Sequence, residues 1–338
     1  MIRLFLLLPF IVSAAPPPVT ALAFSPDGKL LASGAYKAVH LWDAATNRVL
    51  CHAGQLSGQV RALAFRDNHT LAVAEGIPGR SGAVDLLDIE TGAVTPIQQS
   101  KDEMLAVAFS PDGKLLATGG TDGIVRIFEG TTQKAELKGH TDWITSVAFS
   151  PDGKLFASAS TDKTARVWKI AAKIAQPDMR DFSEEFQLPA QLTEAVNSVA
   201  FSLEGDLLVF ATGGPEEHAI RIWRTQGAFT ELDPARPNMK ANLAQTRPVD
   251  TGACVPLTVI FAKTQPRSRM LVACTDKTVR VLGNGGNAVA TLTGPADWVY
   301  SVAASPDGQK LASGAGDGSV KFWTAAGPSF KPVPETKP

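Results

Sequence analysis

The chain lacks most of what a disulfide scaffold, a nucleic-acid binder or a helical protein would need. Three cysteines among 338 residues are too few, and odd in number, so no disulfide framework holds the fold. Charge of one sign is absent: 32 Lys and Arg stand against 33 Asp and Glu, a net charge of −1. With no basic stripe, nothing draws the chain to nucleic acid or to an anionic membrane. No stretch reads as a convincing helix, and a long apolar run occurs only at the N-terminus. Phosphate-cradling glycine loops that open a helix, calcium loops with alternating oxygen ligands and a second Cys beside Cys51-His52 for haem attachment are all missing.

What is present is repetition. Ala-Phe-Ser-Pro-Asp-Gly-Lys-Leu occurs at 23–30, 108–115 and 148–155, and a variant follows at 304–311. The Phe position can be traced as Phe24, Phe65, Phe109, Phe149, Phe201, Phe261 and Ala304, with spacings of 41, 44, 40, 52, 60 and 43 residues. A recurring unit of this length means stacked copies of one supersecondary element, because one copy cannot bury its own apolar faces. Within the unit, apolar and small or polar residues alternate in runs of five or six, as packed strands require. Pro followed by Asp-Gly makes a tight hairpin between the first two strands. A weaker fourth strand follows, as at Asn47, Gly92, Gln133 and Asn287. The two stretched intervals contain 171–195 and 225–255, which read as loops grafted onto the blade edges.

Four strands and about 40 residues per unit point to propeller blades. Gly139-His140, followed by Asp142, Ser158, Asp162 and Trp168, resembles the full blade signature of the WD40-repeat family. The resemblance extends over about residues 19–324. The expected fold is all-β: a seven-bladed β-propeller of four-stranded antiparallel blades.

That resemblance implies a buried hydrogen-bonded network from Trp168 through Ser158 and His140 to Asp162. Blade seven keeps Ser313, Asp317 and Trp323 but has Pro295 in the His place. Blade three keeps Thr118 and Asp122, with Phe128 for Trp and Ser100 for His, and blade six keeps only Asp276. The network is structural, since a buried carboxylate and indole N–H must be partnered; it is not a Ser-His-Asp catalytic set. The histidines (His40, His52, His69, His140, His218) are assigned to different blades without ligand spacing, so neither metal nor cofactor is expected.

The N-terminus has Arg3, a nine-residue apolar core and the small-residue ending Val12-Ser13-Ala14. This fits a secretory leader. The expected layout is a leader over 1–14, one propeller over 15–333 and a Pro-containing tail over 334–338, in a chain exported to the periplasm or outside the cell. No membrane insertion is expected after leader cleavage. Two closing strands for the last blade stay open: counting from Trp323 reaches Pro332, beside Phe330 and Val333, as a C-terminal candidate, and Ile2 to Val12 is apolar enough to serve from the N-terminus, as such propellers often close. Cys254 and Cys274 fall at the same end of one antiparallel pair, within bridging range; a disulfide and two inert thiols both fit. Cys51 stays unpaired.

WD40 propellers commonly bind partners where the first strands begin, and the residues six and four before the Phe position line that rim. There the chain has Arg61 and Glu103 as its only charges, beside Trp143, Thr145, Asn197, Trp298 and Tyr300; Thr161 joins them from the second hairpin. Large aromatics dominate binding hot spots, whereas an enzyme site needs convergent titratable groups. The two Trp either face each other across the channel or pack on neighbouring blades. The reading is a non-enzymatic, monomeric scaffold that binds a protein or peptide. The alternative is a periplasmic propeller enzyme, hydrolase or oxidoreductase, with a channel site at Arg61 and Glu103.

Overall fold

The Ser-Pro-Asp-Gly-Lys phrase folds identically wherever it recurs, and the reason is local. At 25–29 the Ser25 hydroxyl donates to Asp27 Oδ1 (2.7 Å) and accepts the Leu30 N–H (3.0 Å). Asp27 Oδ1 also takes the Lys29 N–H (3.0 Å), and the Gly28 N–H reaches the Ser25 carbonyl (2.8 Å). The last contact requires a left-handed residue: Gly28, Gly113, Gly153 and Gly308 have φ of 70°, 71°, 69° and 73°. Pro presets the preceding φ, and the buried serine satisfies the turn from inside.

In this computed structural model the described residues are 16–53, 56–170, 182–188, 192–214, 218–225, 246–251, 254–264, 267–326 and 329–333. The leader and tail expected at 1–14 and 334–338 lie outside them. Among the described residues there are 28 strands and no helix, in seven four-stranded antiparallel sheets, each ordered sequentially. Blade one runs from β1 (Ala21–Phe24) to β4 (Arg48–Ala53), blade two from β5 (Gln59–Phe65) to β8 (Val94–Ser100), and blade three from β9 (Met104–Phe109) to β12 (Thr132–Leu137). Blade four runs from β13 (Ile144–Phe149) to β16 (Phe182–Leu188), and blade five from β17 (Val196–Phe201) to β20 (Thr246–Asp250). Blade six runs from β21 (Pro256–Ala262) to β24 (Ala288–Thr293), and blade seven from β25 (Val299–Ala304) to β28 (Ser329–Pro332).

Two intervals read as loops therefore contain the outermost strands β16 and β20. Both carry polar sequence (Phe-Ser-Glu-Glu-Phe-Gln-Leu and Thr-Arg-Pro-Val-Asp) without the small-apolar alternation of inner strands. An edge strand needs no buried second face, so its sequence signal is weak. Residues 171–181, 189–191, 226–245 and 252–253 of those intervals lie outside the described residues.

The core lies in the seams between blades. Ile127 and Leu137 of blade three meet Ile144, Phe156 and Trp168 of blade four in one cluster. Ala157 and Val167 of blade four meet Val199, Phe210 and Trp223 of blade five in the next. Each buried Val, Leu, Ile or Phe side chain among them contributes about 1.5–3 kcal/mol by burial. The ring closes between blades seven and one: Phe24, Leu31 and Trp42 pack with Ala303, Ala312 and Phe322, and the Val19 N–H donates to the Ala315 carbonyl at 3.0 Å. The register pairs Trp323 with Pro332, so the final strand of blade seven is C-terminal. Cys254 and Cys274 are joined by a disulfide at the start of blade six, with Cα atoms 5.5 Å apart, and Cys51 is free and exposed.

The turn chemistry can be separated from seam packing by two glycines of equal φ. A Cβ on Gly92 (φ 73°) would meet nothing within 4 Å, whereas one on Gly308 (φ 73°) would stand 1.8 Å from the Lys263 carbonyl oxygen of blade six. Gly92→Ala should cost about 1–2 kcal/mol for the left-handed backbone alone, and Gly308→Ala distinctly more. Urea midpoints measure both; equal losses would mean that the hairpin of blade seven does not abut blade six.

Candidate partner-binding face

A single backbone irregularity builds one end of the ring. In blades two to seven the pairing of the first two strands slips by one residue near the start of the first strand. Ile144 pairs with Ser160 and Ser146 with Ala159, which leaves Thr145 unpaired. The same step leaves Arg61, Leu105, Asn197, Leu257 and Tyr300 unpaired in their blades. These are the residues four before the Phe position. A bulge re-aims its extra side chain, and here it turns that side chain from the ladder toward the rim.

Half of the re-aimed side chains, Arg61, Thr145 and Asn197, are spent on the next blade, as is Thr20 of blade one. Thr145 Oγ1 donates to the Val196 carbonyl (2.6 Å) and Asn197 Nδ2 to the Pro256 carbonyl (3.0 Å). Thr20 Oγ1 donates to the Val60 carbonyl and accepts Gln59 Nε2 at 2.9 Å. Arg61 spans the seam to Glu103, with Nε 2.8 Å and a terminal nitrogen 2.7 Å from Oε1. Glu103 is buried, so this is a desolvated brace whose two members satisfy each other. Behind it the first strands of all seven blades line a central channel of about 420 Å³.

The aromatic residues behave differently. Trp143 and Trp298 are each 48% exposed and are held by identical loops: Asp142 Oδ1 and Asp297 Oδ1 accept the following Trp N–H at 2.8 Å. The Trp143 carbonyl takes the Thr161 N–H (3.0 Å) and the Trp298 carbonyl takes the Gly316 N–H (2.9 Å). Tyr300 lies beside Trp298, ring centroids 6.4 Å apart. Thr161 Oγ1 is buried without a hydrogen-bond partner. Sequence reasoning missed Tyr36, 49% exposed at the same end and bridged to Gln59. It stands in blade one where blade four has Thr161, but no Asp follows it to mark the turn. Trp143, Trp298 and Tyr36 are the three large aromatics found exposed among the described residues.

The buried network of blade four is complete. His140 joins Asp162 through Nδ1 (2.8 Å) and Ser158 through Nε2 (2.8 Å), and Trp168 Nε1 donates to Ser158 Oγ (3.2 Å). Asp162 also accepts the N–H groups of Thr141 and Thr164 and the Thr164 hydroxyl. Burial alone would raise the Asp162 carboxyl; the hydrogen bonds from His140 and Thr164 outweigh it and hold the group well below the usual carboxylate range. In blade three, Thr118 Oγ1 donates to Gln98 of β8 at 2.7 Å, so Gln98 and not Ser100 takes the His place. In blade seven, Ser313 Oγ is buried without a partner, while Asp317 serves Ser319 and the Ala296 N–H. Trp42 and Ser33 form the Trp–Ser half of the network in blade one (2.8 Å).

Blade two holds an acidic pair that no motif announced. Glu75 is buried and accepts the N–H groups of Ser57 and Gly58 and the Ser57 hydroxyl. Asp85 of β7 (Ser81–Asp88) is buried nearby; burial first, then the Glu75 charge, pushes its carboxyl up to about 6. A second cluster, Cys254, Cys274 and Asp276, has three ligand atoms within 4.8 Å of one another. The disulfide uses both sulfurs, and Thr278 and Arg280 hold the Asp276 carboxylate, so the cluster is a structural knot as it stands.

Seven four-stranded antiparallel blades, one of them with the complete network, define a β-propeller. The WD40 family, described as WD domain, G-beta repeat, matches residues 11–43, 95–129, 131–169 and 286–324, so the chain carries WD40 repeats. It is similar to Cell division cycle 20.1, cofactor of APC complex, of Arabidopsis thaliana: 26% identity over 324 residues, 94% of this chain and 56% of that protein. Anaphase-promoting complex subunit cdh1 of Dictyostelium discoideum is 26% identical over 288 residues, 84% of this chain and 33% of its own length. The chain thus spans about half or less of these relatives. An uncharacterized WD repeat-containing protein of Nostoc sp. shares 58% identity over 43 residues, 12% of this chain and 3% of its own.

These relatives overturn the expected export to the periplasm or the outside, because cell-division-cycle and anaphase-promoting-complex proteins work inside the cell. The first repeat match also begins at residue 11, within the stretch read as a leader. A short apolar run behind one basic residue resembles both a leader core and a buried strand, and composition alone does not separate them.

Two pH profiles follow. Asp162 has a lowered value in the folded state, so its contribution is complete above about pH 4, the value of a free Asp, and is lost as the pH falls further. Asp162→Asn should lower stability by about 1–3 kcal/mol at pH 7, and the gap to the parent should close as urea midpoints are taken below about pH 4. A gap that stays constant to pH 2 would contradict the network. Asp85 has a raised value, so its charged form opposes folding above pH 6. Asp85→Asn should therefore raise the urea midpoint at pH 7.5, with the gain vanishing by about pH 4; a loss at pH 7.5 would mean that the Asp85 charge is partnered.

Proposed function

We propose that the chain is a non-enzymatic interaction module, acting as a single ring, that docks a protein or peptide on the end where the first strands begin. One observation carries this reading: Tyr36, Trp143 and Trp298, the exposed large aromatics among the described residues, all lie at that end. Binding energy concentrates in such side chains, where a partner can bury a large rigid surface at small entropic cost. Trp143 and Trp298 are three blades apart and held by the same Asp-Trp loop, so a partner seated on both spans the channel mouth. Tyr300 backs Trp298, and Thr161 offers a buried hydroxyl beside Trp143.

One feature weighs against the enzymatic alternative. Arg61 and Glu103 are committed to each other as a seam brace. Thr145 and Asn197, expected at the partner contact, serve the adjoining blade and so shape the rim. The names of the relatives, a cofactor and a subunit of an assembly, support a role among proteins.

Trp143→Ala combined with Trp298→Ala should abolish partner capture while the ring stays folded. Each truncation of an anchor costs about 2 kcal/mol or more, so the pair should weaken binding roughly a thousandfold if additive. Affinity capture with quantitative mass spectrometry, comparing parent and double variant, reads this. Salt should change capture little, because no exposed charge of the rim is invoked. An undiminished set of captured proteins would remove this end of the ring as the binding face.

A further inference from the structure

Blade one departs from its neighbours on one row of side chains. In blades three, four and six, the third-strand residue beside the second-strand network position is an arginine: Arg126 opposite Thr118, Arg166 opposite Ser158, Arg280 opposite Val272. Arg126 is tied to Asp122 and Glu136, and Arg280 to Asp276. In blade one the residue opposite Ser33 is His40, on β3 (Ala38–Asp43), and the residue opposite His40 on β4 is His52. Lys37 occupies the place where blade four has Asp162, so the acid of the turn is missing. The sequence reading had placed these two histidines in different blades; the structure makes them cross-strand partners.

Their rings meet edge to face, with centroids 4.4 Å apart and planes at 83°, and their Nδ1 atoms point at each other in contact. Such an arrangement holds at most one proton between two nitrogens, and without it both lone pairs converge on one point. The sheet fixes both side chains on adjacent strands, so little freedom remains to be lost when an ion bridges them.

We propose that His40 and His52 form a bidentate site, through both Nδ1 atoms, for a late first-row divalent ion of the Zn(II), Ni(II) and Cu(II) class, with water in the remaining positions. Imidazole nitrogen suits these ions, while Mg(II) and Ca(II) want oxygen ligands that this row lacks. Bonds of about 2.0–2.1 Å place the two nitrogens roughly 3 Å apart, which the exposed His52 ring reaches by a small outward rotation. Cys51 is not a ligand: it pairs with Leu41 in the register, and its side chain lies on the opposite face of the strand. Because β4 is the outermost strand of its blade, the water positions open to solvent and can take a ligand from outside.

The test is calorimetric titration of the full-length chain, with Cys51→Ser to silence the free thiol, using Zn(II) chloride at pH 7.5. One equivalent should bind, with displacement of Zn(II) as the pH is lowered to 5. His52→Ala, a change on an exposed edge strand, and His40→Ala should each weaken binding by about tenfold or more, with the thermal midpoint in the absence of metal unchanged for His52→Ala. His69→Ala, which removes a surface histidine paired with Glu90, should have no effect. Absence of stoichiometric uptake by the parent, or unchanged affinity in His52→Ala, overturns the site.

Discussion

A four-stranded sheet with two apolar faces can hide them only against two more sheets, and the whole molecule follows from that requirement. Each blade of this ring buries its faces in the seams on either side, where Trp168, Trp223 and Trp323 and the phenylalanines of the second strands are lodged. The first and last blades can cover their outer faces only against each other, and the Trp42–Phe322 contact between blades one and seven marks that closure (ring centroids 5.7 Å). Apolar packing sets the spacing of the blades, but it does not by itself fix their relative height. That is done by polar stitches at one end: Thr20, Arg61, Thr145 and Asn197 each reach across to the following blade.

The stitches explain how a scaffold acquires a working face. A bulge at the start of the first strand frees one side chain from the ladder in blades two to seven, and Arg61, Thr145 and Asn197 use it for the seam. What remains for a partner is the residue two positions earlier and the tip of the second hairpin. Trp143, Trp298 and Tyr36 occupy those places, held by backbone bonds to loops that the seams have already fixed. On the proposed reading, a rigid rim would lose little freedom on binding, so its aromatic surface would be converted efficiently into affinity. The same rigidity on the outer edge of blade one brings His40 and His52 together.

Much of this was legible in the sequence, for identifiable reasons. The Ser-Pro-Asp-Gly-Lys turn reads directly because each residue has a separate stereochemical duty, and its recurrence fixed blade count and strand order. The signature of blade four named four residues that do meet. Other features depend on partners far apart in the chain. Gln98 replaces Ser100 beside Thr118 because strand β8 carries it there, and no motif records that. The strands β16 and β20 lack alternation, as edge strands can. Arg61 and Glu103 were visible as adjacent charges, but only the geometry makes them one brace. Tyr36 went unnoticed because the Asp that marks the turn in other blades is absent beside it.

The central claim is that the seams bind seven blades into one closed unit, and unfolding by urea followed with two probes tests it most directly. Trp42, Trp168, Trp223 and Trp323 report on blades one, four, five and seven, while far-ultraviolet circular dichroism reports on all strands together. A closed ring held by its seams predicts a single transition with the same midpoint by both probes. Fluorescence and dichroism transitions that separate, with some blades lost before others, would mean that the blades stand largely on their own, as in an open repeat array.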